Sequence, residues 1–153
     1  FSAAFFIVAC GTGAGADTKA NTDATDTKTT TADNGNPSYD PKRGEGKFSN
    51  VELGATVDAA MVTAGEKVYG VKCSSCHKLT EEKLVGPGWK GVTTRRTPEW
   101  VMNFVTNTDE MLNKDPAAQA QLEICLVRMP NQNIADADAR ALYEFMRKND
   151  GVK

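Results

Sequence analysis

Three residues near the middle of the chain have types and spacing that can do chemistry: Cys73, Cys76 and His77, in the run Cys73-Ser74-Ser75-Cys76-His77. Two thiols three positions apart at a helix end can reach two vinyl groups on one porphyrin edge. The imidazole that follows then stands under the metal, so the run reads as a c-type haem attachment site. Two other chemistries use a Cys-x-x-Cys pair. Structural zinc takes four ligands, usually from a second Cys or His pair, and the chain offers none: His77 is its single histidine, and Cys10 and Cys125 lie far apart. A thioredoxin-like dithiol needs a strand before it and a helix after it, whereas the residues before Cys73 read as helix. One covalently attached haem c is the expected cofactor.

Helices must position these residues. Asp58 is suited to cap a helix from about Ala59 to Lys72, in which Met61, Ala64, Gly65, Val68, Tyr69 and Lys72 follow the spacing of one face and deliver Cys73 from the end. Gly65 costs about 1 kcal/mol against Ala in a helix, a cost that a close helix crossing would explain. The partner for such a crossing is the run Asp138 to Lys148, with Leu142, Phe145 and Met146 on its apolar face, basic residues in its last turn and Gly151 just beyond. Ala135 stands where a capping residue is usual, so Asp136 or Asp138 is expected to cap it. Thr97 and Pro98 open a third helix through Trp100 and Met102. A further helix opens at Asp115-Pro116 and fills an insertion over about residues 114 to 127, with Met111 in the loop before it. The predicted fold class is all-α.

Over roughly residues 58 to 150 the sequence resembles a class I single-haem cytochrome c. In that family an N-terminal helix carrying a small residue and an aromatic crosses a C-terminal helix carrying Leu and an aromatic around one covalently bound haem. Gly65 with Tyr69, and Leu142 with Phe145, fall at the matching places. The run Val85-Gly86-Pro87-Gly88-Trp89-Lys90-Gly91-Val92 is similar to the family's Gly-Pro loop, which implies that the Pro87 carbonyl accepts a hydrogen bond from His77 and raises its basicity. Arg128-Met129-Pro130-Asn131 resembles the loop that carries the sixth iron ligand, a Met thioether. The resemblance thus implies a cofactor site of Cys73, Cys76, His77, Pro87 and Met129, with His77 and Met129 on the metal and no catalytic residue.

From the residues themselves, a single histidine excludes bis-His ligation within the chain and leaves Met, Lys or an open position. Met102 and Met111 are the other methionine candidates, Met102 suiting a filler role in its helix. Cys125 reads as a buried small hydrophobe. Trp89, Trp100, Arg95 and Arg96 are donors for the haem propionates, since burying a propionate without a partner is costly.

The remaining features concern setting. The chain has 153 residues, 40% of them hydrophobic, and a net charge of -2, values usual for a globular protein and not basic enough for nucleic acid. Residues 1–10 are apolar and uncharged, shorter than the ~20 residues of a membrane span, and fit the tail of a signal peptide. Ile7-Val8-Ala9-Cys10 resembles a bacterial lipobox, which implies lipidation of Cys10, a lipid anchor and a place on the periplasmic side of a membrane. Residues 11–36 are rich in Thr, Asp, Ala, Gly and Lys and read as a disordered tether, whose typical reach is ~30 Å. Residues 37–57 form an N-terminal extension in which Phe48, Val51 and Leu53 could pin an arm onto the cytochrome-like domain, 58–153. Lys67, Lys72, Lys78, Lys83, Lys90, Arg95 and Arg96 outnumber Glu81 and Glu82 around the motif, a pattern that suits brief contacts with charged partners.

The resemblance implies a membrane-tethered carrier of single electrons, with redox proteins as partners: a terminal oxidase, a periplasmic reductase such as the nitrous oxide enzyme, or a quinol-oxidising complex. No small-molecule substrate is expected. The alternatives are a five-coordinate haem sensor or peroxidase-like enzyme, and a fixed electron-relay subunit of a larger complex. A two-haem peroxidase would need a second Cys-x-x-Cys-His, which the sequence lacks.

Overall fold

The computed structural model describes residues 39–153. The lipobox with Cys10, the tether over 11–36 and the first residues of the extension lie outside the described residues. Six helices follow in order: α1 (Ala59–Lys72), α2 (Val92–Arg95), α3 (Pro98–Thr106), α4 (Thr108–Lys114), α5 (Pro116–Cys125) and α6 (Asp136–Asn149). Among the described residues the only β feature is an isolated bridge between His77 and Lys83, so the fold is all-α.

The crossing of α1 with α6 frames the molecule. Asp58 caps α1 through the backbone N–H of Met61 at 2.9 Å, satisfying one of the orphan donors of the first turn. Gly65 is the buried residue of α1, and a Cβ there would overlap the backbone carbonyl of Ala141 and the Cβ of Phe145 on α6. A backbone carbonyl cannot rotate aside as a side chain can, so only glycine admits this approach. The buried face of α1 is shifted from the expected one. Val62, Val68 and Tyr69 pack on the core beside Gly65, whereas Met61 and Ala64 are exposed, because the crossing centres on Gly65 and turns those two outward.

The cap of α6 also differs from expectation. Ala135 is the N-cap and no side chain bonds the first turn, so neither Asp136 nor Asp138 caps it. Both lie within the first turn, where their charges still favour the positive end of the helix dipole. Thr97 caps α3 as expected, accepting from the Trp100 N–H at 3.2 Å. Met111 lies not in a loop but in α4, fully buried, because Asn107 to Asp115 keep helical hydrogen bonding across the predicted gap.

The N-terminal arm is held mainly by hydrogen bonds. Fully buried Asn103 on α3 donates from Nδ2 to the carbonyls of Arg43 and Phe48, both at 2.9 Å, and accepts from the Phe48 N–H at 2.9 Å. Further along, Glu99 accepts from the Val51 N–H at 2.7 Å and Arg147 donates to the Gly54 carbonyl at 2.6 Å. Phe48 and Val51 add apolar contact with the core. Leu53 is exposed and pins nothing, since the polar contacts on either side of it already fix the backbone. Arg147 also pairs with the buried carboxylate of Glu144 at 2.8 Å, and Arg140 approaches it at 2.6 Å.

Candidate functional site

The end of α1 presents the motif. The Cys73 N–H and the Ser74 N–H both donate to the Tyr69 carbonyl at 2.9 Å, and the His77 N–H donates to Cys73 at 2.9 Å, so residues 73–77 form a tight turn closing the helix. The next loop is bonded back onto it: Val85 and Gly86 donate to the Cys76 carbonyl, at 3.2 and 2.9 Å, and Trp89 donates to Lys78. Gly86 lies against the imidazole, and a Cβ there would overlap the ring of His77.

His77 Nδ1 lies 2.9 Å from the Pro87 carbonyl. A carbonyl only accepts, so Nδ1 carries the proton and Nε2 keeps its lone pair. Burial lowers the pKa of this imidazole, against the opposing effect of the Pro87 bond, so the neutral form that binds metal prevails at neutral pH. Cys73 is buried, and burial pushes its thiol up to about 11.

A cavity of about 280 Å³ opens beside this turn. Cys76, His77, Gly86 and Pro87 line one part of it, Trp100, Val101, Val105 and Leu112 another, and Met129 and Pro130 a third. The structure therefore brings Cys76, His77, Pro87 and Met129 to one space and buries Cys73 just outside its lining. Met102 and Met111 are buried elsewhere: the Met111 sulfur accepts from the Glu45 N–H of the arm at 3.0 Å. Residues 126–131 carry Met129 without regular structure. Lys72 fastens the following residues to α1 by donating to the Gln132 carbonyl at 2.9 Å. Arg128 fastens the preceding side to α4, reaching the Asn113 side chain at 3.1 Å and Asp109 at 3.3 Å.

Of the four donors expected for propionates, Trp100 gives its indole N–H to Asp115 at 3.0 Å, and the Trp89 ring packs between Tyr69 and His77. Arg95 and Arg96 line the cavity, the Arg95 guanidinium donating to the Lys90 carbonyl at 2.8 Å and that of Arg96 lying over the Trp100 ring. Arg95 ends α2 and Arg96 follows it; Asp150 positions that helix by accepting from the N–H of Gly91 at 2.6 Å and of Thr93 at 2.9 Å. Sequence reasoning missed Met146 as a wall residue, and Cys125, though expected to be buried, also lines the cavity. Their helical registers mark them only as inward facing; which inward space they reach depends on how α5 and α6 cross the others. An apolar wall, a neutral imidazole with a free Nε2, a thioether and two guanidinium groups fit an iron porphyrin with its propionates. The second thiol, Cys73, is adjacent.

The comparisons agree with this geometry. Residues 62–150 match the family model described as cytochrome c. The structure of a cytochrome c from Rhodothermus marinus is 30% identical, superposes with a TM-score of 0.66, and is matched over 90% of its length by 69% of this chain. An engineered form of that protein, Rma TDE, matches over the same shares at 30% identity with TM-score 0.65, and the same form bound to a carbene intermediate matches with TM-score 0.63. No curated protein matches the chain. With the helix crossing, the turn at residues 73–77 and the cavity beside it all accounted for by that match, the chain belongs to the cytochrome c family, carriers of electrons on covalently attached haem c, here one.

Proposed function

We propose that the protein is a membrane-tethered carrier that passes single electrons between respiratory proteins. In this reading Cys73 and Cys76 would hold the haem covalently, His77 and Met129 would bind its iron, and Pro87 would orient the imidazole. The observation that carries the reading is the shared cavity of His77 and Met129, with Nδ1 of His77 committed to Pro87 so that Nε2 is left for metal. Bound there, haem c would supply a one-electron ferric and ferrous couple, and a thioether and an imidazole as its ligands would favour a relatively high potential. The surrounding residues would exclude water, hold the tautomer and pair the propionates, and with both His77 and Met129 on the iron no position would be left for a substrate.

Partner contact is supported by the rim of the cavity. Val85 and Val127 line its mouth and are exposed, with Leu84, Ile124 and Leu126 exposed in the same two segments. Lys83 bridges these segments by donating to the Ile124 carbonyl at 2.9 Å. Small apolar rims beside cations suit short-lived docking of an oppositely charged redox protein, such as a terminal oxidase, a periplasmic reductase or a quinol-oxidising complex. The lipobox-like run ending at Cys10 supports a lipid anchor on the periplasmic side of a bacterial membrane, with residues 11–36 as the tether.

Carbon monoxide separates this carrier from a haem sensor or peroxidase-like enzyme. The reduced wild-type protein is expected not to bind it at neutral pH, whereas Met129→Ala is expected to lose the thioether spectrum and bind it stoichiometrically. Fast binding by the wild type, or an unaltered spectrum in the variant, would overturn the ligand assignment and the function built on it.

A further inference from the structure

Asp115 is fully buried, yet neither haem attachment nor axial ligation uses it. Its Oδ2 accepts from the indole Nε1 of Trp100 at 3.0 Å and from the hydroxyl of Tyr39 on the arm, and its Oδ1 accepts from the Ala118 N–H at 2.8 Å. All three partners act as donors here, so both carboxyl oxygens of Asp115 serve as acceptors. These three donors are neutral: they replace the water lost on burial and spread the charge without cancelling it. The indole that bonds Asp115 also forms part of the cavity wall, and Arg96 stacks on that same ring at 4.4 Å.

We propose that Asp115 is a positioning charge that lowers the reduction potential of the haem, with Tyr39 of the N-terminal arm closing it off from water. The inference rests on the reading of the cavity as the haem site. Oxidation adds one positive charge to the haem, and a buried anion behind one wall of the cavity stabilises that state. The effect is larger than a surface carboxylate could produce, because little solvent lies between to screen it. Trp100 is thereby given a second task, since the N–H that could have met a propionate holds this carboxylate in place instead.

The test is a spectroelectrochemical titration of the holoprotein carrying Asp115→Asn, an uncharged residue that can still cap α5. At the wild-type midpoint the ratio of reduced to oxidised haem is expected to rise about tenfold, an upward shift of about 59 mV for a one-electron couple, with the axial-ligand spectrum unchanged. An unmoved midpoint with that spectrum intact overturns the inference while leaving the carrier reading in place. Should the variant fail to fold or change its ligands, the comparison is Trp100→Phe with and without Asp115→Asn, in which no indole N–H is orphaned; the same upward shift is expected, and equal midpoints overturn the proposal. A wild-type protein that binds no haem would remove the cavity reading first, and this inference with it.

Discussion

At the scale of single residues, burial decides which groups keep their ordinary chemistry. His77 and Cys73 belong to the site, but Tyr143 shows the same physics without a ligand. It is almost fully buried on α6, and burial raises its phenol to about 12 from an ordinary value of 10. The neutral form is favoured in the fold, so the folded state binds this proton more tightly than the unfolded chain. Its contribution to stability is complete below pH 10 and is lost as pH rises through the folded value, between about pH 10 and 12. Urea titrations from pH 9 to 12 are expected to show a steep fall in stability in this window, shallower in Tyr143→Phe. Equal slopes in the two proteins would show that the phenol does not ionise with unfolding. The hydroxyl reaches the Arg96 carbonyl only at 3.5 Å, so little hydrogen bonding is lost in the variant at neutral pH.

At the scale of elements, the two glycines of α1 have opposite meanings. Gly65 meets the backbone of α6, whereas a Cβ on Gly70 would meet nothing within 4 Å. Gly70→Ala is expected to stabilise the protein by about 1 kcal/mol, the helix-propensity difference. Gly65→Ala gains the same propensity but forces the helices apart, with a net cost of about 1–3 kcal/mol typical of overpacking. Urea midpoints of the two variants check the pair, and a Gly65→Ala protein as stable as Gly70→Ala would mean that the crossing is not close. The same logic explains why α1 keeps its aromatic: Tyr69 stands one turn from Gly65, packs on Trp89 and Phe145, and donates to the His77 carbonyl at 2.7 Å. One helix crossing thereby fixes the turn that carries the imidazole.

At the scale of the whole molecule, the N-terminal arm is part of the domain and not an appendage. It bonds to α3 through Asn103 and Glu99, to α4 through Met111, to α6 through Arg147 and to the start of α5 through Asp115. No described helix is long and apolar enough to cross a membrane; the attachment proposed above is a lipid at Cys10. Membrane fractionation of cells making the full chain is expected to place the wild type with membranes and to release Cys10→Ala into the soluble fraction. Equal partition would remove the lipid anchor from the proposal. In that proposal, a head held near the bilayer would search only a small volume, which would raise the effective concentration of membrane-bound partners.

Much of this could be read from the chain. The run 73–77, the spacing of Gly65 and Tyr69, the Asp58 and Thr97 caps and the Asp115-Pro116 helix start are local signals, in which residue types act on neighbours within one or two turns. Local rules also misled where longer contacts prevailed. Met111 read as part of a loop yet lies in α4 (Thr108–Lys114), where it and Leu112 are buried against the rest of the domain; Ala135 begins α6 without a capping side chain because that helix owes its stability to packing along its whole length. The Cys-x-x-Cys-His turn, the all-α class and the two helices that cross were legible in the chain, since each depends on periodicity and short-range stereochemistry. Contacts between distant segments supplied what local rules could not: that Trp100 gives its N–H to Asp115, that Met111 meets the arm while Met129, the methionine favoured by the resemblance, shares the cavity with His77, and that the arm closes over that carboxylate. Those pairings join residues far apart along the chain, and their partners are chosen by the angles at which helices cross, which no local pattern encodes.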